Sequence, residues 1–186
     1  MNRSTLDKLI SSTGLLVAIV LIAASCALFY AHNFVHTQVV SQLSAEKIYF
    51  PPSGASALTA LPTVNSQAMS KYAGQQLTTG AQAKVWANDF IAVHLEKIGG
   101  GETYAQLSTK AMADPTNTTL AKQVQTVFQG ETLRGLLLNA YAFDTMATVA
   151  YIAALGALAA GIVLSVLAVL GFYHSGRVKG KTQKRR

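Results

Sequence analysis

The chain has 186 residues and a single cysteine, Cys26, which excludes an intramolecular disulfide and a cysteine-based metal site. Its charged fraction of 12% is about half the share usual in a soluble domain, and that deficit points to a membrane. The net charge of +7 excludes less than it suggests: Arg177, Lys179, Lys181, Lys184, Arg185 and Arg186 crowd the last ten positions without an acid, the remainder is nearly neutral, and nucleic acid is not an expected partner.

The first eight residues carry Arg3 and Lys8, and from Leu9 through Ala45 no Lys, Arg, Asp or Glu occurs. The stretch Leu15 to Phe34 is dense in Leu, Ile, Val and Phe and is long enough to cross a bilayer core. Ala23, Ala24, Ser25 and Cys26 loosely resemble a lipoprotein cleavage pattern, but Ala27, Leu28, Phe29 and Tyr30 continue the apolar run where a polar tether would be expected. The expectation is an uncleaved signal anchor over 9–34, with Cys26 as a small packing residue.

Beyond it, Phe34, Val35, Val39, Leu43 and Ile48 keep near-helical spacing until Pro51 and Pro52, which are expected to end the helix. A Pro, Gly, Ser and Ala stretch to Pro62 reads as a loop. Thr79 with Gln82 forms a capping box before a helix that carries Ala83, Trp86, Ala87, Phe90, Ile91, His94 and Ile98 on one face, opposite Lys84, Asn88 and Glu96. Gly99, Gly100 and Gly101 are expected to stop it as a turn rather than to cradle an anion. Thr103 with Gln106 repeats the box for a short helix through Met112. Asn117 caps the last helix, with Leu120, Val124, Val127 and Phe128 on one stripe and Gly130 and Gly135 as soft points.

That helix is expected to run into a second span. Thr145 to Gly176 again lacks Lys, Arg, Asp and Glu. Its part from Val149 to Phe172 holds twelve Val, Ile, Leu or Phe residues, worth roughly −4 to −7 kcal/mol on the insertion scale. Arg3 and Lys8 before the first span and the basic tail after the second put both termini in the cytoplasm. Tyr30, Phe34, Tyr141 and Phe143 suit an outer aromatic girdle and Tyr173 an inner one. Gly14 and Ala18 in span one, with Ala153, Gly156, Ala157, Ala160 and Gly161 in span two, would permit close helix approach within the hairpin or in a dimer. No alternating β pattern of useful length occurs.

The expected fold class is therefore all-α, two transmembrane helices extended into a small extracytoplasmic helical bundle. Its parts are a cytoplasmic N-terminus at 1–8, spans at 9–34 and 143–173, an outer domain at 35–142 and a basic cytoplasmic tail at 174–186. The expected location is the plasma membrane.

Few residues suggest chemistry. His32 and His36, four apart, share a helix face, and Asp144 lies at about their depth, so a metal or proton-linked role for this trio stands against a structural interhelical bond, the reading preferred here. His94 reads as a packed histidine among Trp86 and Phe90, and Glu131 with Arg134 as a helix-surface pair. There is no HExxH, GxSxG, phosphate loop or dinucleotide fingerprint, and no cofactor is expected. The basic tail suits anionic lipid at the membrane surface.

The block FYAHNFVHTQVVSQLSAEKIYF, from Phe29 to Phe50 and followed by Pro51 and Pro52, and the block QTVFQGETLRGLLLNAYAF, from Gln125 to Phe143, resemble a family of two-span membrane proteins of Gram-positive bacteria. A third, less distinctive block runs from Ala73 to Tyr104. The resemblance implies an outer domain facing the space beyond the plasma membrane. Some members carry the label aromatic ring-opening dioxygenase, which needs an iron site in a substrate pocket; the residues do not supply one, and no catalytic residue is carried over. The expected function is a non-enzymatic accessory or protein-interaction protein of the cell envelope, partnered by another envelope protein or by itself. The alternative is a ligand sensor acting through a partner.

Overall fold

The computed structural model describes residues 3–183, and among them the chain is all-α apart from one isolated antiparallel bridge between Tyr49 and Gln76. Two helices dominate, α1 (Arg3–Ala45) and α7 (Thr118–Gln183), and both are long and apolar enough to cross a membrane. Between them come α2 (Ser56–Thr59), α3 (Thr63–Ser70), α4 (Gly80–Val85), a π-helical segment (Trp86–Ile91), α5 (Ala92–Gly99) and α6 (Tyr104–Ala113). The chain divides into two compact units, one made of its N-terminal part to Phe34 with its C-terminal part from Ala147, the other running from Val35 to Met146.

The first unit is an antiparallel pair of helices with an interior of small residues. Ser11, Ala18 and Ser25 on α1 and Ala147, Ala154, Gly161, Ala168 and Ser175 on α7 are its buried positions, and on each helix they recur every seventh residue. A strict seven-residue repeat keeps one seam facing the neighbour along a left-handed supercoil, and small side chains there bring the backbones together. At Gly161 a Cβ would stand 2.8 Å from Ile22 Cγ1 and 3.2 Å from the Ala18 carbonyl oxygen, so glycine is required by the approach. Ser25 Oγ donates to the Ala154 carbonyl at 2.9 Å, an interhelical bond from a fully buried hydroxyl. Of the small residues singled out from composition, only Ala18 and Gly161 lie on the seam; Gly14 and Gly156 face open space. The outward faces carry exposed Leu16, Ile19, Ile152, Ile162 and Val169.

The second unit is packed differently. Phe50, Leu58, Met69 and Leu77 are almost wholly buried, with Ala83, Ala87, Ile91 and Leu95 facing them, and Val39, Leu43 and Leu137 contributed by α1 and α7. A run of rings crosses this core: Tyr72 to Phe50 at 5.3 Å, Phe50 to Trp86 at 5.1 Å, Trp86 to Phe90 at 4.8 Å and Phe90 to His94 at 4.4 Å between centroids. Burial of such side chains contributes roughly 1.5–3 kcal/mol each.

Local signals are realised closely. Both capping boxes form, at Thr79 with Gln82 and at Thr103 with Gln106. Asn117 Oδ1 accepts from the Leu120 amide at 3.0 Å, and Gly100 closes α5 in the left-handed region at φ 63°. Other expectations are corrected. α1 ends at Ala45, ahead of the prolines: Lys47 turns at φ 53°, Gln76 Nε2 donates to the Ser44 carbonyl at 2.8 Å, and Ile48 to Phe50 pair with Gln75 to Leu77. The stretch read as a loop contains α2, and α3 follows it directly. The helix after Thr79 is not uniform, because six residues adopt π geometry, and its buried line is Ala83, Ala87, Ile91 and Leu95, whereas Ile98 is exposed. Gly130 is no soft point: α7 runs through it, and its missing side chain makes room for the Leu95 methyls.

Candidate functional site

Asp144 bonds to two other elements of the second unit. Its carboxylate is carried by α7, and its side chain is 17% exposed. Oδ1 accepts from His36 Nδ1 on α1 at 2.9 Å, and Oδ2 accepts from the Gly80 amide, the first residue of α4, at 3.0 Å. A carboxylate on the free amides of a helix start is favoured by the charge-assisted bond and by the aligned peptide dipoles. The arrangement requires glycine: a Cβ on residue 80 would lie 2.5 Å from Asp144 Cβ and 3.0 Å from Tyr141 Cα. Nearby, Lys84 Nζ lies 4.8 Å from the centre of the Tyr141 ring. Asp144 thus ties α1, α4 and α7 together.

Of the histidines, His36 belongs to this tie, whereas His32 lies in the first unit, where its Nδ1 donates to the Ala147 carbonyl at 2.9 Å and its ring packs 5.0 Å from that of Tyr151. Among the described residues no group of three or more His, Cys, Asp or Glu is placed to hold a metal ion. His94 Nδ1 donates to the Phe90 carbonyl one turn back at 2.7 Å.

Arg134 does more than pair with Glu131. Its Nη1 reaches Glu131 Oε2 and its Nη2 reaches Asn88 Oδ1, each at 3.3 Å, so the guanidinium connects α7 to the π segment. Its Nε is buried with no hydrogen-bond partner. From the same segment Asp89 accepts from Asn65 Nδ2 of α3 at 2.9 Å. Asn88 and Asp89, adjacent in the π segment, thus reach two different helices, α7 and α3.

With these polar groups engaged in holding helices, the conspicuous free surface of the second unit is apolar. A cavity of about 440 Å³ lies along α1 and α7, walled by Val39, Leu43 and Ile48 on one side and by Leu133, Leu136, Leu137, Ala140 and Phe143 on the other, with Gln42, Glu46 and Asn139 as its polar lining. Leu136 is 61% exposed, Phe143 54% and Leu133 40%. The reading from sequence passed over Leu133, Leu136 and Ala140 and gave Phe143 to the aromatic girdle, although the four recur at alternating intervals of three and four, the spacing of a helix seam. In the first unit a second cavity of about 560 Å³ is bordered by Asp7, Ser11 and His174 among apolar residues of α1 and α7.

The basic tail is described only in part. Arg177 stands over the Tyr173 ring at 4.9 Å, Lys179 and Lys181 fall on the last turns of α7, and Lys184, Arg185 and Arg186 lie outside the described residues. No family model, no curated protein and no solved structure matches this chain.

Proposed function

We propose that the protein is an integral plasma-membrane protein with cytoplasmic termini, whose extracytoplasmic helical domain works by docking another protein in the cell envelope rather than by catalysis. The observation that carries the docking reading is the apolar groove along α1 and α7. Its exposed Leu133 and Leu136, outside the proposed span, form the kind of apolar surface that a soluble face keeps only where something covers it. The membrane reading is supported by the inverted character of the first unit, small inside and apolar outside, and by the basic residues that flank both spans. The basic tail then meets anionic lipid on the cytoplasmic side. The resemblance of residues 29–50 and 125–143 to a two-span family of Gram-positive bacteria accords with this layout.

A photo-crosslinking residue at position 136, activated in intact membranes, tests the docking reading. It should yield one discrete protein adduct of reproducible mass; adducts with lipid alone, or none, would overturn it.

The cavity volume favours one alternative, a ligand sensor acting through a partner, because about 440 Å³ falls within the range of small-molecule sites, roughly 300–1,000 Å³. Thermal melting of the protein across a panel of apolar metabolites distinguishes the two. A ligand-dependent rise abolished by Leu136→Glu favours sensing, and an unchanged melting temperature removes it.

A further inference from the structure

The cavity of about 560 Å³ in the first unit is apolar along its length and polar at one end. Ile10 on α1 and Leu164, Leu167 and Leu170 on α7 supply the apolar lining, and Asp7 and His174 are its outermost members, where α1 begins and α7 runs out. Small residues leave the space. At Gly14 a Cβ would meet nothing within 4 Å, whereas at Gly171 it would collide with Ser11 Oγ, so the two helices close against each other beside the opening.

The extent of the cavity bears on its occupant. Its lining runs from Leu164 to His174 on α7, about 15 Å at the helical rise of about 1.5 Å per residue. That is half of the roughly 30 Å hydrocarbon thickness of a bilayer. The runs without Lys, Arg, Asp or Glu begin at Leu9 and end at Gly176, so on the membrane reading the cavity opens at the polar boundary and closes near the midplane. A partner's transmembrane helix seated on the hairpin would track it through both leaflets, whereas an acyl chain reaches through one.

Charge narrows the headgroup. Asp7 is the one acid in the sequence of the first unit, and among the described residues its carboxylate has no ion-pair partner. Lys8 follows it directly, and Arg177 lies one turn beyond His174. Cations at this end attract a phosphate. The carboxylate opposes a purely anionic headgroup and suits one that also carries an ammonium with N–H groups to donate.

We propose that this cavity binds one phospholipid with a primary ammonium headgroup, its acyl chain along Leu164, Leu167 and Leu170, its ammonium on Asp7 and its phosphate toward His174 and Arg177. The proposal rests on the membrane reading of the first unit and assumes nothing about the second.

The full-length protein is placed in nanodiscs of equimolar phosphatidylethanolamine, phosphatidylglycerol and phosphatidylcholine with matched acyl chains, then released into native mass spectrometry. One phosphatidylethanolamine should stay bound, preferred about tenfold over the other two, the worth of one hydrogen bond to a charged group. Asp7→Asn, of equal size, should bring it level with phosphatidylcholine. Gly14→Leu, which fills the cavity, should remove the bound lipid with far-UV circular dichroism unchanged, and Gly156→Leu, in open space outside the lining, should keep it. Equal retention of the three lipids, no retained lipid, a lipid undiminished by Gly14→Leu, or a second protein chain held in its place each overturns the proposal. An alkaline wash of the native membranes separates the two claims: protein that stays in the membrane without lipid preference defeats the lipid site alone, and protein that is released defeats the membrane reading along with it.

Discussion

α1 and α7 run through both compact units, yet the two units hold together by different physics. In the first, the helices meet through Ser11, Ala18, Ser25, Ala147, Ala154, Gly161, Ala168 and Ser175, none of which can bury much area. In the second, the same two helices contribute Val39, Leu43 and Leu137 to a core of Phe50, Leu58, Met69, Leu77 and packed aromatic rings. Where lipid is the solvent, burying a leucine between helices gains nothing over leaving it in hydrocarbon, so close backbone approach and interhelical hydrogen bonds supply the attraction. Where water is the solvent, removal of large apolar side chains dominates. On the proposed membrane reading one helix obeys both rules along its length, because side-chain size, not backbone geometry, matches the solvent of each part.

This contrast can be broken at its strongest point. Phe50→Ala, between the Tyr72 and Trp86 rings, should destabilise the second unit by about 3–5 kcal/mol. Thermal melting followed by Trp86 fluorescence should report it, while the helical signal of the first unit in detergent persists. A simultaneous loss of both would mean that the units do not fold on separate terms.

Next in size is Gly80→Val, which drives a side chain into Asp144 and Tyr141 and breaks the amide bond to the carboxylate, an expected loss of about 3 kcal/mol. Asp144→Asn keeps the volume and one acceptor oxygen and should cost about 1 kcal/mol. A larger penalty for the isosteric change than for the bulky one in chemical denaturation would assign the weight to charge instead of fit.

In the first unit Gly161→Val should weaken the hairpin by about 1–3 kcal/mol through overpacking at the seam, whereas Gly156→Val, which faces open space, should leave it intact. The two variants are compared by denaturant-dependent loss of the hairpin in mixed micelles; equal behaviour would disprove the seam. The smallest effect is expected from Ser25→Ala, about 0.6 kcal/mol, the usual worth of an interhelical hydrogen bond in a membrane. A loss several times larger would make that hydroxyl, rather than close packing, the main tie.

Much of the fold was legible because much of it is local. The boxes at Thr79 and Thr103, the Asn117 cap and the glycine stop at Gly100 depend on residues within one helical turn, so spacing alone identifies them. The end of α1 was misplaced because Pro51 and Pro52 are strong breakers, whereas the actual stop depends on Gln76, distant in sequence, taking the Ser44 carbonyl and on residues 48–50 pairing with 75–77. α3 escaped notice because its sequence is polar, with one buried apolar residue, Met69. For the candidate trio an interhelical bond was legible, but which histidine meets Asp144, and that Gly80 is its other partner, depends on how the helices and α4 dock.

By itself the sequence determined the helical class, the two apolar stretches and the positions of most helix starts, since composition, hydropathy and capping act over short distances along the chain. Only the tertiary structure decided which small residues form the seam, why Gly80 and Gly161 lack a side chain, which helices Asn88 and Asp89 reach, and which face of α1 and α7 is left uncovered. Those depend on the distance between backbones remote in sequence, and a difference of a few tenths of an ångström there determines whether a methyl group packs or collides.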